Sequence, residues 1–334
     1  MIDFRIEATR GDLVESVHPV SVAVVQADGH LIASAGDPSL VTFWRSAAKP
    51  FQALPLLEDG AADALALTPA ELALTCASHS SEPRHLAVAE GLLRRIGATP
   101  ADLACGPHAP LSPAVAERVI REGITLTPLW SNCSGKHAGM LALARYHGWP
   151  LAGYTRPDHP VQRRILDAVA HWTGVPAARI ATATDGCTAV TFALPLGAMA
   201  TAWARLGASA APGPTRLRSA MAAHPELVAG SGRLCTELMA ATGGRVLAKV
   251  GAAGIYCAAM PELGLGIALK VGDGDSESAS VALLAVLEVV LANAGLERVY
   301  DPAAVARHGT RPVLNTRGVP IGMVRAAGAL RFAA

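Results

Sequence analysis

Aromatic residues are scarce in this chain, 4% of 334 residues, and charged residues make up only 16%. With so few rings, alanine, leucine and valine must do most of the packing. A hydrophobic content of 51% gives a chain this long enough apolar surface for a sizeable core and argues against disorder. A formal net charge of +1 supplies no general attraction to nucleic acid or to anionic lipid, so neither is expected as a partner. No uninterrupted apolar run approaches the ~18–20 residues of a membrane span. The opening residues, Met1-Ile2-Asp3-Phe4-Arg5-Ile6-Glu7, carry acids where a signal peptide has a basic and then an apolar segment, and a cytoplasmic location is expected. Six cysteines scattered over such a length do not make a disulfide scaffold; they read as free thiols, metal ligands or buried hydrophobes. Internal repeats and low-complexity tracts are also missing.

What is present reads as strands at both ends and helices between them. Residues 20–26 form a strand, Asp28-Gly29 signals a hairpin turn, and 30–35 return. Helices are expected over 69–77 and 83–96, and from about 50 to 240 the pattern is mostly helical, broken by Gly/Pro loops. Residues 208–214 are small and turn-rich and read as a surface loop. After residue 245 the period changes. A strand over 245–250, a hairpin of 254–259 and 264–271, an apolar helix over 276–294 capped by Asp275 or Ser276, and a last hairpin within 313–322 follow. The simplest packing is an α/β chain of the α+β kind, with a mainly antiparallel sheet from both chain ends and an inserted helical lobe. It is read as one two-lobed unit, with the sheet lobe at about 1–45 and 245–334 and the helical lobe at about 46–244.

The organising stretch is Arg45-Ser46-Ala47-Ala48-Lys49-Pro50-Phe51. If Ser46 opens a helix, Lys49 lies one turn on along the same face, and Pro50 fits only near the first turn. A serine hydroxyl there becomes a nucleophile if a lysine whose pKa is lowered by burial or by a nearby cation takes its proton. The bland reading is a solvated helix start. Lys249-Val250-Gly251 ends a late strand, where serine enzymes with Ser-x-x-Lys carry a Lys-[Ser/Thr]-Gly motif; here valine replaces the hydroxyl residue and no Ser-Asp-Asn triplet is present. Cys76-Ala77-Ser78-His79-Ser80-Ser81-Glu82 places Ser78 as a possible second hydroxyl, with Ser80 or Ser81 read as the cap of the helix entered through Pro83. Cys133-Ser134-Gly135-Lys136-His137 and Asp185-Gly186-Cys187 put thiols and nitrogen donors in tight polar turns. Two thiolates and a nitrogen suit zinc with an open position. Two small, inert, buried cysteines are the other reading. His108 and His159 read as loop residues with local hydrogen bonds.

Taken together and in order, Ser46-Ala47-Ala48-Lys49-Pro50, Cys76-Ala77-Ser78-His79-Ser80, Cys133-Ser134-Gly135-Lys136-His137, Asp185-Gly186-Cys187 and Lys249-Val250-Gly251 closely resemble the rhizobial-type, or class 3, L-asparaginases of the asparaginase II family. The resemblance spans nearly the whole chain. It implies a fold similar to serine β-lactamases and glutaminases, and hydrolysis of L-asparagine to L-aspartate and ammonia. Carried over by position, it implies two Ser-Lys tandems, Ser46 with Lys49 and Ser78 with Lys249. It implies zinc ligands at Cys133, Lys136 and Cys187, serving substrate binding more than bond breaking. Arg45, His137, Asp185 and Cys235 match residues that line the pocket, and a homodimer is the implied assembly. The expected mechanism has Ser46, deprotonated by neutral Lys49, attack the side-chain amide, with ammonia leaving through the Ser78–Lys249 pair; Ser78 as first nucleophile stays open. Two other classes remain: a penicillin-recognising or esterase-like serine acyl transferase, and a non-catalytic zinc or small-molecule binding protein.

Overall fold

A computed structural model describes residues 4–296 and 299–333. The chain divides into two compact units: residues 1–47, 194–208 and 237–334 form the first, and 48–193 with 209–236 the second.

The first unit is built on an antiparallel sheet. Its strands are β1 (Phe4–Arg10), β2 (Leu13–Gln26), β3 (Leu31–Ala35) and, after β4 (Val41–Phe43), which lies outside this sheet, and the helical insertion that carries β5 (Ala181–Thr184) and β6 (Val190–Pro195), β7 (Leu247–Val250), β8 (Ile255–Met260), β9 (Leu265–Val271), β10 (Arg311–Leu314), β11 (Pro320–Gly328) and β12 (Arg331–Phe332). The order is β10-β11-β1-β2-β9-β8-β7, with β3 paired to β2 and to β12. The Asp28-Gly29 turn joins β2 to β3 as expected; Gly29 takes a φ of 94°, open to glycine because it has no Cβ. The expected strand over 20–26 is the second half of a longer one, and β1 before it was not apparent from the pattern. β2 joins the two ends of the chain, pairing β1 on one side and β9 on the other, Val20 opposite Val271 and Gln26 opposite Leu265.

All of β8 and all of β9 except Lys270 are buried, so both faces of these strands are covered. The Ser276–Asn293 helix packs on β8 and β9, and so does the Leu196–Ala208 helix. Asp275 caps the former, accepting from the Ser278 N–H at 2.6 Å. By length and composition that helix could cross a membrane, but 56% of it is buried inside the protein. The Leu196–Ala208 helix belongs to this unit, although its place in the sequence put it in the helical lobe. Gly266 lets it approach: a Cβ there would lie 2.0 Å from the Ala200 carbonyl oxygen. Such an approach leaves no periodic trace in the helix itself.

The second unit is mainly helical, with helices at Lys49–Glu58, Pro69–Thr75, Pro83–Arg95, Pro113–Glu122, Ser134–His147, Pro160–Thr173 and Pro212–Ala223. Most open on proline, whose missing N–H costs nothing in a first turn. The segment from Arg45 to Ala48 is a 3-10 turn and the α-helix begins at Lys49, not Ser46; Pro50 sits in its first turn as expected. Ser134–His147 runs through the middle. Its residues from Ser134 to Ala144 are all buried, packed against the helices at Lys49–Glu58, Pro69–Thr75, Pro83–Arg95 and Pro160–Thr173. β5 and β6 form a hairpin, Ala181 opposite Ala193 and Thr184 opposite Val190, which the mostly helical reading of this region missed.

Candidate active site

Three turns of the second unit converge on one buried amine. Lys49, the first residue of its helix, is 1% exposed. Its Nζ donates to the Ala77 carbonyl, lies 3.0 Å from Ser78 Oγ and 3.1 Å from Cys133 Sγ. Burial lowers its pKa from the ordinary lysine value, against the pull of the Cys133 sulfur, and the charge of Lys136 lowers it further.

The Ser78 turn is held on every side. Its N–H donates to Val228 O at 3.0 Å, and the Arg233 guanidinium donates to its carbonyl and, at 3.3 Å, to Ala229 O. His79 N–H donates to Asn132 O at 3.1 Å, joining the turn to the start of the Ser134–His147 helix. The expected capping by Ser80 or Ser81 does not occur. Ser80 Oγ donates to Ala229 O and Ser81 Oγ to Trp130 O, and the cap of the Pro83–Arg95 helix is Glu82. The serines are used to tie loops together because buried carbonyls there need donors.

Cys133, at the cap position of the Ser134–His147 helix, and Cys187, in the β5–β6 turn, are hydrogen-bonded to each other. That bond, with the charges of Lys49 and Lys136 outweighing burial, holds the Cys133 thiol well below its usual range. The same bond, with burial, pushes Cys187 up, so the pair shares one proton. Lys136 Nζ lies 2.9 Å from Cys187 Sγ. Burial opposes its charge, but the Cys187 and Cys133 sulfurs hold it above the ordinary lysine value. Asp185 Oδ2 is 3.8 Å from Cys187 Sγ. Among the described residues no cluster of three histidine, cysteine, aspartate or glutamate side chains suits a metal, so lysine has to be the third donor of any ion bound here. Zinc takes thiolate sulfur and nitrogen donors, and Lys136 would serve as one only after losing its proton.

His137 is fully buried, with Nδ1 2.6 Å from Tyr154 Oη. Burial, then the charges of Lys136 and Lys49, keep its imidazole neutral. Cys235 is buried in the same unit and Asp185 half-buried. His159 caps the Pro160–Thr173 helix, a local role as expected, whereas His108, besides its local bond to Ala109 O, accepts the Asn132 N–H on Nε2 from 24 positions away.

The remaining sequence-predicted residues lie in the first unit. Ser46 is half-buried, and Arg45 before it has a φ of 53°, a left-handed conformation costly for a side chain with a Cβ. Lys249 is fully buried and donates to Val250 O at 2.8 Å, so valine in place of a hydroxyl residue still offers its carbonyl. Cys257, opposite Lys249 across β7 and β8, has its thiol pushed up to about 12 by burial, opposed by a hydrogen bond with Trp44 and the charge of Lys249. A Cβ at Gly251 would lie 3.0 Å from Trp44 O. The Trp44 turn that leads into Ser46 is thereby packed beside the Lys249 strand end. Arg233 and Tyr154 were not singled out from sequence; each acts on a partner many residues away, and no local pattern marks it.

His79 and His85 are buried and stacked, ring centroids 5.1 Å apart. Burial is the main cause that lowers both below the usual 6.5. Below that pH the unfolded chain binds protons that the folded imidazoles refuse. Stability is therefore complete above about 6.5 and falls as pH drops below it, by up to about 1.4 kcal/mol per pH unit for each histidine. Urea midpoints should decline between pH 7 and pH 5. A flat profile across that window would mean that both rings take up protons without unfolding.

The α+β chain thus buries a lysine amine 3.0 Å from a serine hydroxyl. The sequence matches the L-asparaginase II family over residues 6–326, and the chain belongs to that family. Its activity is accordingly that of an asparaginase-type amidohydrolase. Among solved structures, a β-lactamase from Mycobacterium bovis aligns at 14% identity and a TM-score of 0.36, covering 82% of this chain and 94% of that one; a likeness of that score supports no argument. No curated protein matches the chain.

Proposed function

We propose that this protein hydrolyses the side-chain amide of L-asparagine to L-aspartate and ammonia through a serine acyl-enzyme. The observation that carries the reading is the water-sealed Lys49 amine 3.0 Å from the Ser78 hydroxyl. An ammonium would engage all three acceptors around it, but a neutral amine has two N–H groups and one lone pair. Of the three neighbours, the Ala77 carbonyl has no proton to give and Cys133 is held toward its thiolate; the Ser78 hydroxyl has one. The lone pair therefore serves Ser78. Lys49 takes the hydroxyl proton as Ser78 Oγ bonds to the amide carbon, then returns it to the departing nitrogen, which leaves as ammonia. Water, deprotonated by the same amine, cleaves the ester and restores Ser78.

A second reading, implied by the family resemblance, gives the attack to Ser46 and proton relay to Ser78 and Lys249. The left-handed Arg45 next to Ser46 favours it, since backbone strain of this kind gathers at reactive residues. Acid-quenched reaction mixtures digested for mass spectrometry separate the two: the aspartyl group rides on the Ser78 peptide in the first and on the Ser46 peptide in the second.

Cys133, Cys187 and Lys136 would hold zinc, which when bound supplies a Lewis-acid anchor for the substrate; loading must expel the shared thiol proton and the lysine proton. Arg45, His137, Asp185 and Cys235 are the proposed substrate contacts. Six buried cysteines outside any disulfide fit a reducing cytoplasm. Exposed apolar strand residues such as Leu13, Val17, Leu314 and Met323 offer surface for a homodimer. A coupled ammonia assay with asparagine and with glutamine, each with and without chelator, tests the function. Ammonia from asparagine in excess over glutamine is expected. Silence on both amides at micromolar enzyme, or hydrolysis of nitrocefin instead, would overturn it.

A further inference from the structure

We infer that Arg233 is a positioning residue: its guanidinium fixes the backbone of Ser78 and so aims the Ser78 hydroxyl at the Lys49 amine. This role rests on the reading above that Ser78 takes part in the reaction, as attacker or as relay; the anchoring itself does not depend on it.

Peptide groups are planar, so the direction of a side chain follows from the two planes that meet at its Cα. Both planes at Ser78 are held at both ends. In the first, the Ala77 carbonyl accepts from Lys49 Nζ, and the Ser78 N–H donates to Val228 O at 3.0 Å. In the second, the Ser78 carbonyl accepts from Arg233, and the His79 N–H donates to Asn132 O at 3.1 Å. Residues 77–82 belong to no helix or strand, so no regular ladder holds them. Two of the four anchors are main-chain carbonyls, which no side-chain substitution removes, and a third is the proposed base itself. The fourth is Arg233, half-buried and 155 positions from Ser78. The same Nη1 donates to Ala229 O at 3.3 Å, and that oxygen also accepts from Ser80 Oγ at 3.0 Å. One nitrogen thus binds the Ser78 turn to the loop over 228–233. Gly230 lets that loop lie so close, since a Cβ there would be 2.6 Å from Ser80 Oγ. A charged donor makes a stronger bond to a carbonyl than a neutral one does. Without it the carbonyl end of the second plane loses its anchor, and Ser78 Oγ can swing away from the amine 3.0 Å off.

Arg233→Met should lower kcat for asparagine about 10²-fold, the cost of a misplacement of about 1 Å, and change KM by less than about threefold. Arg233→Lys should recover at least about tenfold of that loss, because a single nitrogen makes both bonds and a compact ammonium can stand in its place. Arg84 is the control. It joins the same two segments, through Glu82 and Ser231, with no bond to Ser78, and Arg84→Met should keep kcat within about twofold of wild type. Hydrogen exchange needs no substrate. In Arg233→Met the Ser78 and His79 amides should exchange about tenfold faster, while those of the Ser134–His147 helix keep their rates. If methionine prevents folding, Arg233→Gln takes its place; uncharged and too short to span both carbonyls, it should lose about tenfold in kcat. Wild-type kcat in the methionine and glutamine variants, an equal loss in Arg84→Met, or no recovery with lysine would overturn the proposal. So would unchanged exchange at Ser78 and His79, or faster exchange at every amide alike. A chain silent on asparagine whose Arg233 variant exchanges faster at those two amides alone would sink the hydrolysis proposed above and leave Arg233 standing as the anchor of Ser78.

Discussion

Replacing Lys49 with methionine should lower kcat for asparagine hydrolysis by about 10²–10⁴-fold, the range of a lost general base. Methionine matches the length of the lysine stem and brings no charge into a site that is 1% exposed. Loss of the amine leaves the Ala77 carbonyl and the Cys133 sulfur without their donor, but Cys133 is hydrogen-bonded to Cys187 as well. The variant should therefore fold, and circular dichroism would establish that before kinetics are compared. Lys49→Arg separates two roles for the same residue. A guanidinium stays protonated at any accessible pH, so it places a fixed charge beside Cys133 and Ser78 yet cannot accept a proton. If Lys49 works as a base, both variants are inactive. If it only supplies positive charge, arginine restores much of the rate, and the mechanism given to Ser78 fails.

A methyl group added at Gly135 should cost roughly 3–5 kcal/mol of stability, among the largest effects a single atom can have here. In a solvated helix the same change is favourable by about 0.5–1 kcal/mol, because alanine loses less backbone freedom on folding. The sign reverses because of what lies opposite. A Cβ at Gly135 would be 2.3 Å from the Leu74 carbonyl oxygen and 2.7 Å from Leu74 Cγ, so the Ser134–His147 and Pro69–Thr75 helices must move apart. These two helices carry Cys133 and Lys136 on one side and lead into Cys76-Ala77-Ser78 on the other. A shift of about 1 Å between them should therefore also depress kcat, by on the order of 10²-fold. Gly91, inside the Pro83–Arg95 helix, is the control: nothing lies within 4 Å of its would-be Cβ, and Gly91→Ala should stabilise. Urea midpoints for the two variants are expected to move in opposite directions. Gly135→Ala unfolding as late as Gly91→Ala would show that the helix crossing is not the close contact described.

The candidate site was legible in kind but not in connection. Ser-x-x-Lys, the two cysteine turns and the late Lys-x-Gly could be picked out because each is a local arrangement of reactive side chains. Spacing along a helix led to Ser46 as the partner of Lys49; that the same amine also lies 3.0 Å from the hydroxyl of Ser78, 29 residues on, is visible only in the fold. Tyr154 and Arg233 left no trace in the sequence pattern, since each matters only through an atom it meets in space. The Leu196–Ala208 helix was assigned to its sequence neighbours, and it was Gly266, far along the chain, that drew it to the sheet.

By itself the sequence determined the elements that local forces set. These include the Asp28-Gly29 hairpin, the Asp275 cap, the proline-led helices, and antiparallel strands at both ends around a helical middle. Those follow from backbone conformation and from the period of apolar residues, which act over a few positions. Tertiary structure alone decided which amine lies beside which hydroxyl, that two cysteines 54 positions apart come together next to a buried lysine, and that a tyrosine meets a histidine 17 positions away. Protonation depends on burial and on charges brought close by folding, and neither quantity exists until the chain has closed around them.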